Sequence, residues 1–294
     1  MTSTLIVGGL TIDRFVDGSV APGGSVLHSG LAAVAAGSEL TVLTVAGDEP
    51  AAVSGLARLA TLGRLAHQPA PATTTYRHEE RDGVRVLILE ARTEPIRADQ
   101  LGGLDRPDVA LVAPIADEVP ASLVARLGDE LAPRRTVLLV QGWLRRLVVG
   151  EEVTATALAM LTPEQLGVVG AADAIVVSTE DLVESPGDAF GQAAELRRWA
   201  GTRPVILVTL GAQGYLLDDP SVERLVASVP RRVVTGVPAV GAGDTFGAAL
   251  AVALARGEGV RAAADRATDA VITMLDARAR RRIGAEHEDG PEPA

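Results

Sequence analysis

The stretch VGAGDTFGAALAVALARG, residues 240–257, joins a tight glycine turn to an apolar helix. Gly241-Ala242-Gly243 is compact enough for the backbone to approach a ligand closely. On the helix that follows, Phe246, Ala249, Leu250, Ala253 and Leu254 form one stripe, yet the opposite side is also Ala and Val. A helix that is apolar all round is a buried one. The first N–H groups of such a helix have no intrahelical partner, and its dipole favours negative charge, so an anion is welcome at the turn. Asp244 stands in the same place, where a carboxylate is stabilised as well. Taken alone, G-A-G-D reads more readily as a turn with an Asp cap, and the rest of the chain has to decide.

Outward from that helix the chain alternates. Apolar strands are expected at Leu5–Gly9, Val42–Val45, Val109–Ala113, Val137–Val140, Ala174–Ser178 and Val205–Thr209, with helical stretches between most of them, among them Pro50–Leu62, which opens on proline. That order implies a mostly parallel sheet with helices on both faces. Two segments interrupt it. Thr11–Val20 looks extended, and TTTYRHEERDGVRVLILE around residues 74–91 reads as a hairpin turning at Asp82-Gly83. Tyr215–Leu217 and Arg224–Ser228 look like a late antiparallel pair. A last helix is expected from Arg261 to about Arg278. The acidic end, residues 281–294, is expected to be disordered, and no linker divides residues 1–280 into separate domains.

Composition removes several classes of chemistry. Of 294 residues, 47% are hydrophobic but only 2% aromatic, so the core must be built from Ala, Val and Leu. All 27 basic residues are arginine. Without lysine there is no Walker-loop lysine, no protein-kinase strand lysine and no Schiff base. Four scattered histidines and no cysteine make no zinc pattern. A net charge of −11 opposes nonspecific binding to nucleic acid or an anionic membrane. No apolar run reaches spanning length, the start lacks a signal-peptide pattern, and the lack of disulfides agrees with a cytoplasmic location.

Several segments together resemble one family, the ribokinase-like or PfkB carbohydrate kinases. VGAGDTFGAAL is similar to its carboxy-terminal signature, PGGSVLHSGLAAVAAG to its amino-terminal one, and TLGAQG to the strand and turn beside its nucleotide site. The resemblance covers residues 4–275 and implies a three-layer α/β/α sandwich with a small β-sheet lid from the two interrupting segments. It implies an ATP-dependent transfer of the γ-phosphate to an alcohol of a small polyol (a sugar, cyclitol or nucleoside), with Mg2+ accompanying ATP. Asp244 would be the general base, and Gly241, Ala242 and Gly243 the anion hole. Asp13, Gly23, Gly24 and His28 would face the acceptor, and Thr209, Gly211 and Gly214 the nucleotide. QGWLRR is similar to a segment in the branch that includes inositol and nucleoside kinases, which adds Gln141 and Arg145 to the acceptor side. A homodimer formed through the lid is part of the same expectation.

The departures from the family pattern are specific. His28 stands where the signature has Asn. The metal-organising Asn-x-x-Glu appears as Ser178-Thr179-Glu180-Asp181, so that Ser178 and Asp181 would hold a hydrated metal. Pro238-Ala239-Val240 replaces Asp-Thr-Thr ahead of the anion loop. Family members use that Asp and Thr to help bind an activating monovalent cation. With neither side-chain oxygen present, activity is expected to be indifferent to potassium. These changes also support an alternative from another class: a ligand-binding pseudokinase with little or no turnover.

Overall fold

The computed structural model describes residues 1–185, 187–222 and 225–288. It opens with β1 (Thr2–Gly8), β2 (Thr11–Arg14), β3 (Val20–Gly23), α1 (Ser25–Ala35), β4 (Ser38–Ala46), α2 (Pro50–Leu62) and β5 (Arg64–Pro69). Then come the hairpin strands β6 (Thr74–Arg81) and β7 (Val84–Ala91), followed by β8 (Val109–Ala113), α3 (Ala121–Glu130) and β9 (Arg135–Leu139). The short pair β10 (Arg145–Arg146) and β11 (Thr154–Ala155) precedes α4 (Pro163–Ala171), β12 (Ala174–Ser178), α5 (Ala189–Ala200) and β13 (Val205–Thr209). The chain closes with β14 (Tyr215–Asp218), β15 (Val226–Ser228), α6 (Ala242–Ala255) and α7 (Val260–Glu288).

Nine strands form one sheet in the order β15-β14-β13-β12-β9-β8-β1-β4-β5. From β13 to β5 all neighbours are parallel, and β14 and β15 add an antiparallel edge. The period of two along each strand feeds two cores. In β1, Leu5 and Val7 pack with α3, α4 and α5, whereas Ile6 packs with α1, α6 and α7. Both faces are covered, which is why these strands read as unbroken apolar runs. Each fully buried Val or Leu contributes about 1.5–3 kcal/mol. This is a three-layer α/β/α sandwich, as the sequence led one to expect.

The sheet reverses direction of growth between β1 and β8, and the carboxyl ends of β1, β8, β9, β12 and β13 line one edge, where open α/β sheets bind ligands. Over that edge lies a second sheet, β3-β2-β6-β7, built from the two segments that interrupt the alternation. Its central pair, β2 and β6, is parallel and sets Asp13 opposite Tyr76. Backbone bonds between Leu89 and Glu151, and between Leu87 and Val153, tie the lid to the body.

Two boundaries differ from expectation. The carboxy-terminal helix does not stop near Arg278; it continues to Glu288, so residues 281–288 are helical rather than a disordered tail. Residues 289–294 lie outside the described residues. The other difference is at the glycine turn, where α6 already starts at Ala242. Ala242, Gly243 and Asp244 are therefore its first three residues and not a separate loop.

Candidate active site

The first turn of α6 is the centre of the site. Gly241 caps the helix at φ +76°, a left-handed conformation that glycine adopts without strain. Asp244, the third helical residue, is only 6% exposed. The Ala242 amide bonds Ala239 O at 3.0 Å, so Ala242 is not a free anion-hole donor as the sequence suggested. The amides of Gly243 and Asp244 lie at the open turn, where helix geometry provides no acceptor.

Burial pushes the Asp244 carboxyl up to about 6. Arg145 opposes that rise with its positive charge, and Asp181 and Asp13 add to it. The link to Arg145 is visible as a chain of contacts. Arg145 Nη2 donates to Asp181 Oδ1 at 3.3 Å and to Gln141 Oε1 at 3.3 Å, and Gln141 Nε2 reaches Asp244 Oδ1 at a long 3.5 Å. The Arg145 side chain is 18% exposed, and nearby anions, Asp181 first, raise its affinity for its proton against the cost of burial. Gln141 and Arg145 thus sit beside the carboxylate, at the end of β9 and in β10.

On the lid side, Asp13 is 7% exposed in β2. Its Oδ1 receives Thr11 Oγ1 at 3.4 Å and lies 3.3 Å from His78 Nε2, whose ring stacks on Phe15. Its Oδ2 lies over Gly23, where a Cβ would stand 2.1 Å away, so any larger residue would displace the carboxylate. Gly24 precedes α1. His28, one turn into α1, lays its ring against Gly241, and a Cβ there would stand 2.4 Å from the ring. Burial lowers the His28 pKa to about 4, Arg278 pushes the same way and Asp13 opposes it. The imidazole is therefore neutral at neutral pH, and its buried Nε2 has no hydrogen-bond partner in this structure. Ser29 Oγ donates to Asp244 O at 3.2 Å, which locks α1 against α6.

Thr209, Gly211 and Gly214 form an adjoining stretch of the same edge. Ser178 and Thr209 are in register on β12 and β13, and Thr209 Oγ1 donates to Val177 O at 3.3 Å. Gly211 has open space around its Cα, while Gly214 backs onto Ser228. Sequence reasoning did not single out His78, Tyr76 or Glu118. Strand alternation could have found the first two, because Tyr76 and His78 share the inward face of β6. Glu118 is 1% exposed and accepts from the Ile115 and Ala116 amides; no sequence signal marked it.

The geometry can be set beside known proteins. No curated protein matches the sequence at a significant level. A model described as "pfkB family carbohydrate kinase" matches residues 158–274, which include Asp181, Thr209 and Asp244. Among solved structures, a pyrophosphate-dependent kinase in the ribokinase family, complexed with a pyrophosphate analog and myo-inositol, superposes with a TM-score of 0.73 at 20% identity, covering 90% of this chain and 92% of that one. The fold is ribokinase-like. Fructokinase from Vibrio cholerae O395 resembles it as well, with a TM-score of 0.72 at 18% identity over 94% of this chain and 99% of that one. Ribokinase from Cryptococcus neoformans, complexed with ADP, gives 0.66 at 18% identity over 91% and 92%.

One expected feature of this ribokinase-like chain does not fit its side chains. Asp181 is engaged by the Arg145 cation, and the Ser178 hydroxyl accepts the Glu180 amide at 3.2 Å, capping its own turn. Among the described residues no group of three His, Asp or Glu side chains could hold a metal. Both side chains of the expected metal pair thus already have partners in this structure.

The contact between His28 and Gly241 allows a direct test. Gly241→Ala adds a Cβ at positive φ, costing about 1–2 kcal/mol, and drives it into the imidazole. Turnover in that variant should drop by about tenfold or more. His28→Ala in the same chain should return part of it. Native turnover in Gly241→Ala would mean that this turn is not at the reacting end.

Proposed function

We propose that this chain is a phosphotransferase that moves the γ-phosphate of ATP to a hydroxyl of a small polyol. The observation that carries this reading is Asp244: a buried carboxylate in the first turn of α6, beside turn amides suited to an anion and linked through Gln141 to Arg145. Phosphoryl transfer asks chiefly for positioning and for neutralisation of charge on the transferred group. Asp13 Oδ2 accepts a hydrogen bond from one acceptor hydroxyl. A second hydroxyl points at Asp244, which takes its proton as the new O–P bond forms and the bond to the leaving diphosphate breaks. The turn amides and Arg145 stabilise the negative charge in place of lysine. In this reading Mg2+ belongs to the nucleotide's phosphates and is not held by the chain.

A second reading keeps the acceptor chemistry and changes the donor. Arg145 suits a compact polyphosphate, and the similar pyrophosphate-dependent kinase makes pyrophosphate the donor to test beside ATP. Incubating the protein with each donor and a panel of sugars, cyclitols and nucleosides distinguishes these readings. Acceptor-dependent release of ADP, or of orthophosphate from pyrophosphate, with matching phosphomonoester supports transfer and names the donor. Ligand binding without product would leave the pseudokinase alternative standing. Pairing of two chains through the lid, where Val16 and Val20 are exposed, belongs to the same proposal and is read by sedimentation.

A further inference from the structure

The segment between β15 and α6, residues 229–241, contains neither helix nor strand, and its Val229 and Val233 are exposed. With no ladder and only half-buried apolar residues such as Val234 and Val237, it depends on polar contacts for its position. Those contacts are arginines shared with α7. Arg231 Nε bonds Asp269 Oδ1 at 2.8 Å, Arg232 pairs with Asp276, and Arg282 Nη1 donates to Gly236 O at 2.8 Å. Nearest the site, Arg278 Nη1 donates to both Pro238 O, at 2.8 Å, and Val240 O, at 2.7 Å. Arg278 and Arg282 are one helical turn apart and share a face of α7, while Asp269 and Asp276 hold the start of the segment from another.

We propose that Arg278 is a positioning residue for the anion-binding turn: a cation carried by the chain itself, holding the carbonyls that precede Gly241. The proposal rests on the functional reading above, and its physical basis is the geometry of the peptide bond. A trans peptide is planar, with C=O and N–H pointing in opposite directions. Fixing Val240 O on Arg278 therefore fixes the Gly241 N–H on the other side, away from α7. A carbonyl bonded to a cation also polarises its own amide and makes the N–H a stronger donor. The positive charge is felt in the cleft, because Arg278 is among the groups that keep His28 neutral. Pro238 and Val240 offer no side-chain oxygen for a bound ion, and the carbonyls they do offer are already occupied.

The test compares wild type, Arg278→Ala and Arg278→Lys as full-length protein. Because one nitrogen serves both carbonyls, the lysine variant should retain most of the turnover. In the alanine variant kcat should fall about tenfold to a hundredfold, the span expected for lost charged hydrogen bonds, with acceptor KM changed by about twofold or less. Millimolar guanidinium should restore part of that loss saturably, and urea, its neutral analogue, should not. Wild type should be indifferent to exchanging potassium for sodium. Amide hydrogen exchange across residues 236–244 supplies a readout that needs no turnover: faster in Arg278→Ala, slowed again by guanidinium. A wild type inactive with every acceptor would sink the functional reading, while exchange would still judge Arg278. Unchanged exchange and kcat in Arg278→Ala, or equal rescue by urea, would overturn the proposal.

Discussion

In the Asp244→Asn protein, turnover is expected to fall by about a hundredfold to ten-thousandfold, the range for losing a general base, while the fold becomes more stable at neutral pH. Asparagine retains an oxygen for Gln141 and the place in the first turn of α6, but it cannot take a proton. The stability gain follows from the raised pKa. Asp244 titrates at about 6 in the folded chain and near 3.8 when unperturbed. Above about pH 6 it is ionised in both states, and the folded state bears the full cost of burying that charge. The shift of about two units corresponds to a cost on the order of 3 kcal/mol. Below about pH 3 the group is protonated in both states and the cost disappears. The substitution should therefore raise Tm at about pH 7 to 8 and leave it unchanged near pH 3. Turnover close to wild type would remove Asp244 from the mechanism. A pH-independent change in Tm would contradict the buried-charge account.

Asp13→Ala should weaken acceptor binding and nearly spare the donor. Thr11 and His78 already approach one carboxylate oxygen, Oδ1. The other lies over Gly23 and, in the proposed reading, receives the substrate hydroxyl. A charge-assisted hydrogen bond contributes roughly 1.5–3 kcal/mol, so acceptor affinity should drop about tenfold to a hundredfold. Calorimetric titration of each ligand separates the two ends of the cleft. Equal losses for acceptor and donor, or a protein that no longer folds, would assign Asp13 a structural role.

How much of this was legible in the sequence depended on how local the cause was. The strands Val109–Ala113, Ala174–Ser178 and Val205–Thr209 and the helix Pro50–Leu62 lie where apolar runs and a leading proline place them. Their burial on both faces leaves an unambiguous pattern. The end of α7 was placed too early because the apolar pattern fades near Arg278, where Arg278 and Arg282 instead bond the loop before α6. In the candidate site the motifs pointed to Asp13, Gly23 and Asp244, and the structure adds how their surroundings are packed. Glycine at 23 makes room for Asp13, and helix α1 brings His28 onto Gly241. The Arg145–Asp181 pair was hidden, since its members lie 36 positions apart and meet only when β9 and β12 become neighbours. That same pairing engages the Asp181 carboxylate, which its motif marked as metal-organising.

The pH dependence of kcat/KM bears most directly on the claim that Asp244 is the base, tuned by burial and restrained by Arg145. Wild type should show a one-proton acid limb near pH 6, with activity lost as Asp244 is protonated. Because Arg145 lowers the Asp244 pKa, Arg145→Met should move that limb to higher pH. A flat profile through pH 6 in wild type, or an acid limb that persists unchanged in the residual activity of Asp244→Asn, would contradict the account.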